Sequence, residues 1–412
     1  MPYQPDPTPG KTDWFVNDRF GMFIHWGIYA LAARHEWVKS QEKITDADYQ
    51  RYFDHFYPDL YDPVQWARDA KAAGMKYFVI TTKHHDGFCL WDSQQTDYKA
   101  TNTPWGKDLL APMVEAFRNE GLKVGLYHSL IDWHHPEFCS DMIHPRRDDE
   151  EYKARDADRD IAKYADYLHK QAEELTTQFG KVDIMWFDYS YTTYGPGGKG
   201  KDHWQSEKLL QIIRSHQPDV IVNNRTEITQ DIYTPEETQP RGWYMVDGKP
   251  VVWEACQTFC GSWGYYRDEM KWRGVPELIR TLIDTVSKGG NLLLNVGPTA
   301  RGNFDNRVRE RLEGIGEWMA LHSRSIYGCT MSDFQAPTDT RYTQNGQRLY
   351  CHLTSWPFRA VHLDGLAGKV EYAQFLHDAS ELQYKEEGDT LTLQLPLVKP
   401  EVEVPVVELW LK

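Results

Sequence analysis

The strongest constraint on the fold is an alternation of short apolar runs with helical stretches from about Gly21 to Leu321. Gly21–Gly27 reads as a first strand. Asp62 and Pro63 then supply an N-cap and a first-turn proline for a helix that Ala73-Gly74 closes. Strands follow at Met75–Thr82, Leu122–Ser129 and Val182–Phe187, separated by helices at Asp108–Glu120 and Asp158–Phe179, each stopped by a glycine. Further strands are predicted at Val220–Asn223, Val251–Ala255 and Asn291–Val296, with helices near Trp204–His216 and Pro276–Lys288. Repeated strand–helix order demands a parallel sheet, because each return to the same sheet edge needs a crossover. The number of units predicts a (β/α)8-like TIM barrel with seven regular strands and an irregular eighth.

After Gly328 the pattern changes. Asn345-Gly346 is a hairpin signal, and Leu391–Leu395 alternates with period two. These features predict a barrel over residues 1–330 and a small antiparallel β-sandwich over 331–412.

The chain carries a formal charge of −15, which argues against nucleic acid or an anionic membrane as partner. Its 16 Trp and 24 Tyr are unusually many; most are expected to fill cores, and rings of this kind also suit the apolar faces of sugars. Six scattered cysteines lack the spacing of a zinc site or a disulfide framework. With no secretory signal and no long apolar span in view, a cytoplasmic setting is expected.

In a barrel, chemistry gathers where strands end. His25 ends the first strand, His84 and His85 the second, Tyr127 and His128 the third, and Asp188 the fourth; Asn223, Asn224 and Arg225 follow the fifth. The segment Lys83-His84-His85-Asp86-Gly87-Phe88 brings two imidazoles and a carboxylate together as an apolar run stops. Of the two aspartates in Val182–Asp188, Asp183 lies at the stabilising end of its strand and Asp188 at the reactive end. A carboxylate there can act as a nucleophile or answer a developing cation. Protonating a leaving group needs a second carboxyl, with Glu236, Glu237 and Glu254 as candidates. Glu254 lies within an apolar strand, where a buried structural role, for example beside Arg225, is the alternative.

These segments resemble the family-29 glycoside hydrolases, the retaining α-L-fucosidases. The matching runs are Phe20–Gly27, Glu36-Trp37, Lys83–Phe88, Gly125–Ser129, Trp186–Asp188, Asn224-Arg225, Trp253-Glu254, Ser262–Tyr265 and Ser287–Pro298, in family order across residues 13–328. The resemblance implies Asp188 as nucleophile and His25, Glu36, Trp37, His84 and His85 as the grip on fucose hydroxyls. It places Tyr127 against the sugar ring, Arg225 beside the site, and Trp263 near the deoxy-sugar methyl. The family's acid/base sits in a variable loop, which selects Glu236, with Glu237 and Glu254 as rivals. Tyr127-His128 stands where many relatives have two tyrosines.

The chain is therefore expected to be an exo-acting α-L-fucosidase that takes fucosylated oligosaccharides or glycoconjugates, needs no metal or organic cofactor, and forms a possible homo-oligomer. Two other classes stay open at this stage. One is a non-catalytic fucose-binding protein on a hydrolase fold. The other is a metal-dependent barrel hydrolase with His25, His84, His85 and Asp188 as ligands, which adjacent His84 and His85 fit poorly if they point to opposite faces of a strand.

Overall fold

A computed structural model describes all of the 412 residues except 1, 2, 193, 194, 196, 229 and 230. The barrel strands are β1 (Phe20–Ile24), β2 (Tyr77–Lys83), β3 (Lys123–Ser129), β4 (Ile184–Asp188), β5 (Ile221–Val222), β6 (Glu254–Thr258) and β7 (Asn291–Val296). They lie in the order β5-β4-β3-β2-β1-β7-β6, and every neighbouring pair is parallel. Its two edges are joined by the irregular stretch 232–236, through single bridges Asn223↔Ile232, Tyr233↔Trp253 and Glu236↔Cys256. That stretch is the eighth stave of the barrel, and it carries Glu236.

Two strands depart from the sequence pattern for visible reasons. β5 is only two residues long because Asn223 pairs with β4 through its side chain: its Oδ1 accepts from Phe187 N at 2.9 Å, and its Nδ2 donates to Phe187 O at 2.8 Å. The sixth strand begins at Glu254 rather than Val251, because Val252 and Trp253 pair with Tyr233 in the irregular stave.

Helices pack outside the sheet, the first from its predicted cap and the long one from Asp160 rather than from Asp158. Asp62 accepts from Gln65 N and starts Pro63–Ala72, and Asp160 accepts from Ala162 N and starts Ile161–Thr177. A helix the periodicity does not announce, Asn306–His322, is capped by Asp305. Gly314 and Gly316 weaken its pattern, yet a Cβ on Gly316 would lie 2.5 Å from the Ala72 carbonyl, so the glycine lets two helices approach.

Alternation along parallel strands stacks the inward side chains in layers. Tyr77, Glu254 and Asn291 form a lower layer, Phe23, Trp186, Cys256 and Leu293 a middle one, and His25, Asp188 and Asn295 the rim. The lumen is filled, and the groups that reach an open cavity lie at its upper end, while Tyr77, Glu254 and Asn291 form a closed polar cluster below.

The remaining strands are antiparallel. A five-stranded sheet (Thr330–Met331, Thr340–Asn345, Arg348–Leu353, Val406–Leu411, Val370–Phe375) faces a three-stranded one (Ala360–Asp364, Thr390–Gln394, Tyr384–Glu387). They share an apolar core that includes Leu349, Leu363, Leu391 and Leu409. Arg341 Nε to Asp284 Oδ1 (2.8 Å) and Trp318 Nε1 to the Val404 carbonyl (3.3 Å) tie this unit to barrel helices.

Replacing Asn223 by Leu keeps the volume but strands a buried N–H and a buried C=O on Phe187. Such groups cost roughly 1 to 3 kcal/mol each, so chemical denaturation should report a loss of about 2 to 6 kcal/mol.

Candidate active site

β2 ends in a register shift between Thr81 and Lys83 where it leaves β3. Bulges of this kind re-aim the residues that follow. His84 and His85 therefore lie beyond the strand, in a turn rather than an alternating ladder, and both line the same cavity with ring centroids 4.0 Å apart. The opposite-faces argument against their acting together is thus corrected. Gly87 holds the turn at φ +86°, and a Cβ there would sit 2.3 Å from Asp132 Oδ1. Asp86 organises the same loop, accepting from the Tyr49 hydroxyl and the Phe88 amide.

The cavity at the top of the barrel opens to solvent and has about 370 Å³ of empty space, mouth included. His25, Trp37, His84, His85, Tyr127, Asp188, Glu236 and Trp263 line it, together with Phe23, Trp186, Tyr189 and Cys256. Phe23 and Trp186 were findable from the sequence, since each lies two residues before a rim residue on the inward face. Cys256 lies two residues after Glu254 on the same inward face. Tyr189 carries no such signal: its backbone turns into the left-handed region at φ +74° directly after Asp188.

Two predicted residues sit behind the wall. Glu36 is buried and accepts from Gly264 N at 2.7 Å, so it anchors the loop that presents Trp263. Arg225 reaches under the cavity to both carboxylates, with its Nη1 donating to Asp188 Oδ1 at 2.8 Å and its Nη2 to Glu236 Oε2 at 2.9 Å. His128 points away from the lumen and lies 3.2 Å from the Thr82 hydroxyl.

The three acid candidates separate by position. Glu236 lines the cavity with its side chain 43% exposed. Glu237 turns away, and its Oε1 accepts from Thr258 N at 2.8 Å. Glu254 is fully buried in the lower layer, where it accepts from the Tyr77 hydroxyl at 2.6 Å and Trp186 Nε1 at 3.2 Å. It does not pair with Arg225, because Trp186 lies between the lower layer and the rim.

Burial dominates the electrostatics. It lowers the pKa of His25 to about 3, and those of His84 and His85 well below the ordinary imidazole range. The tautomers follow from the partners. The Ser129 hydroxyl donates to the Ile131 carbonyl, so at 2.7 Å it must accept from His85 Nδ1–H. Asn295 donates its amide to the Trp263 carbonyl, so its Oδ1 accepts from His25 Nδ1–H at 2.6 Å. Each ring keeps an Nε2 lone pair for a ligand hydroxyl. Burial also raises the pKa of Asp188; Arg225 pulls it back, the Glu236 charge adds to the rise, and hydrogen bonds from the Tyr127 hydroxyl (2.8 Å) and the Tyr189 amide oppose it. The site thus holds two carboxyls, neutral acceptors for hydroxyls, and aromatic walls in one small cavity, which is the equipment for cleaving a bond to a sugar.

Comparison with known proteins agrees with that chemistry. The sequence model of the α-L-fucosidase family matches residues 4–324. The α-L-fucosidase of Dictyostelium discoideum is 29% identical over 97% of this chain and 91% of its own length. Among solved structures, α-L-fucosidase isoenzyme 1 from Paenibacillus thiaminolyticus superposes with a TM-score of 0.93 at 43% identity, over 97% of this chain and 98% of that one. A family-29 α-L-fucosidase from Bacteroides thetaiotaomicron, trapped as a covalent intermediate with 2-fluoro-fucosyl fluoride, superposes with a TM-score of 0.87 at 26% identity, covering 100% of this chain and 99% of that one.

Arg225→Met removes the cation that holds the Asp188 carboxyl ionised. Infrared difference spectra against Asp188→Asn should then show the Asp188 carboxyl protonating at higher pH than in the parent protein.

Proposed function

The chain belongs to the α-L-fucosidase family, and from that premise we propose that Asp188 and Glu236 share a double displacement that releases terminal α-L-fucose with retention. The observation that carries this reading is the Arg225 bridge between these two carboxylates, the two that line the cavity at the top of the barrel among the described residues.

In the first step the Asp188 oxygen attacks the anomeric carbon as the bond to the glycosidic oxygen breaks, and Glu236 gives its proton to that departing oxygen. In the second step the Glu236 carboxylate takes a proton from water. The water oxygen then attacks the anomeric carbon and releases Asp188. Exposure at the cavity mouth suits Glu236 to both duties, since leaving group and water enter from that side. The bound fucose would donate hydroxyl protons to Nε2 of His25 and His85 and rest its apolar face on Trp37 and Trp263. Glu36 contributes by fixing the Trp263 loop.

We assign the chemistry to residues 1–330 and a supporting part to the antiparallel unit after them. The six cysteines stand unpaired, which suits the reducing cytoplasmic setting we propose.

Asp188→Ala is expected to abolish hydrolysis of aryl α-L-fucosides. Glu236→Ala should lower kcat by about 10² to 10⁴ on substrates with poor leaving groups, much less on activated ones, with azide restoring turnover as a fucosyl azide. Proton NMR of the first-formed sugar should show the α-anomer; a β-anomer would exclude this mechanism. Protonated Asp188 cannot attack, and its pKa is raised, so the acid limb of kcat/KM should lie at higher pH than an ordinary aspartate would set.

A further inference from the structure

Glu254, like Glu237, has no place in the chemistry above, yet its surroundings are unusual for a residue kept only for stability. Its carboxyl is fully buried in the lumen and has just two hydrogen-bond donors in view, both neutral: the Tyr77 hydroxyl and the Trp186 indole. Among the described residues no cation pairs with it. Burying a carboxyl with so few partners costs several kcal/mol of solvation, and an apolar side chain of similar volume would serve folding better. Burial raises its pKa to about 7.

What the carboxyl does hold is Trp186. Indole has one N–H, and Glu254 Oε1 receives it at 3.2 Å, which fixes the direction of the ring. Trp186 is the platform of the site. The Tyr127 ring stacks on it at 5.6 Å with an interplanar angle of 20°, and the Arg225 guanidinium lies over it at 5.0 Å. These two residues are the side chains that donate hydrogen bonds to Asp188. Register brings the three together: Tyr127 faces Trp186 across β3 and β4, and Asp188 stands two residues above Trp186 on the same inward face.

We infer that Glu254 is a positioning residue: by holding the Trp186 indole from below, it sets the surface on which Tyr127 and Arg225 orient the Asp188 carboxylate. The inference rests on the reading of Asp188 as nucleophile, which Asp188→Ala tests separately.

The experiment is a double-mutant cycle in the full chain with Glu254→Gln and Trp186→Phe, following kcat, KM and thermal unfolding on aryl fucosides with good and poor leaving groups. Phenylalanine keeps a ring but has no N–H for Glu254. Each single variant is expected to lower kcat by about 10- to 100-fold, the range that one lost hydrogen bond to a charged or partly charged group corresponds to. KM should change far less, the loss should be equal for good and poor leaving groups, and the double variant should fall no further than the weaker single one. Trp186→Phe, which changes no charge, should also move the acid limb of kcat/KM to higher pH as Arg225 loses its seat.

Three outcomes would overturn the inference. Losses that multiply in the double variant would mean that the two residues act independently. Glu254→Gln with a lowered Tm and unchanged kcat would make the carboxyl structural only. A Glu254→Gln defect confined to poor leaving groups and rescued by azide would make Glu254 the acid and displace Glu236. If Glu254→Gln fails to fold, Trp186→Phe alone decides: unchanged kcat and an unmoved acid limb would reject the platform.

Discussion

Two carboxyl groups share one small cavity in this barrel, and the Arg225 guanidinium answers the charge they carry when both are ionised. At an effective dielectric near 20, two unit charges about 5 Å apart repel by roughly 3 kcal/mol, more than a typical net hydrogen bond returns. Arg225 turns that repulsion into a geometry by placing one nitrogen on Asp188 and another on Glu236. A planar fork with fixed donors can do this; a lysine, with one point charge, could not hold both partners at set distances. Arg225 is itself fixed, its Nε donating to the Thr234 hydroxyl and Nη2 also to the Thr234 carbonyl. The irregular stave that closes the barrel is therefore also what brings the second carboxylate to the first.

The rest of the site is arranged so that nothing else competes for those charges. Buried imidazoles with ordinary pKa values would offer two or three further cations to Asp188. Instead, burial keeps His25, His84 and His85 neutral, and the Asn295 and Ser129 partners turn lone pairs toward the cavity. His85 Nε2 stands 3.9 Å from Asp188 Oδ2, beyond hydrogen-bond reach and near enough that one ligand hydroxyl could touch both. Binding and bond breaking are thus separated by protonation state as well as by position. Glu36 supports the scaffold through one oxygen, Oε2, which accepts from the Gly264 amide.

Much of this was legible in the residues themselves. Period-two patterns and caps locate strands to within a few residues, since both depend only on neighbours in sequence. Asp188 stands out because the strand that carries it starts and ends on an aspartate, and the polarity of a barrel tells the two apart. The misreadings came from interactions between segments far apart in the chain. β5 is short because Asn223 substitutes a side chain for backbone. His84 and His85 face the same way because a bulge ends β2, and no local signal marks it. Glu254 and Arg225 do not meet because Trp186 occupies the space between them, which no periodicity could reveal.

By itself the sequence determined the repeated strand–helix units, the change to antiparallel pairing near residue 330, the reactive strand ends and the family resemblance. Each of these depends on alternation, capping chemistry or a run of adjacent residues, all local properties of the chain. Only the tertiary structure decided which glutamate shares a cavity with Asp188, which faces Thr258, and which lies beneath the floor. Glu236, Glu237 and Glu254 have the same side chain, and two of them are adjacent. What distinguishes them is a few ångströms of placement, set where an irregular stave meets β5 and β6 across the closed barrel.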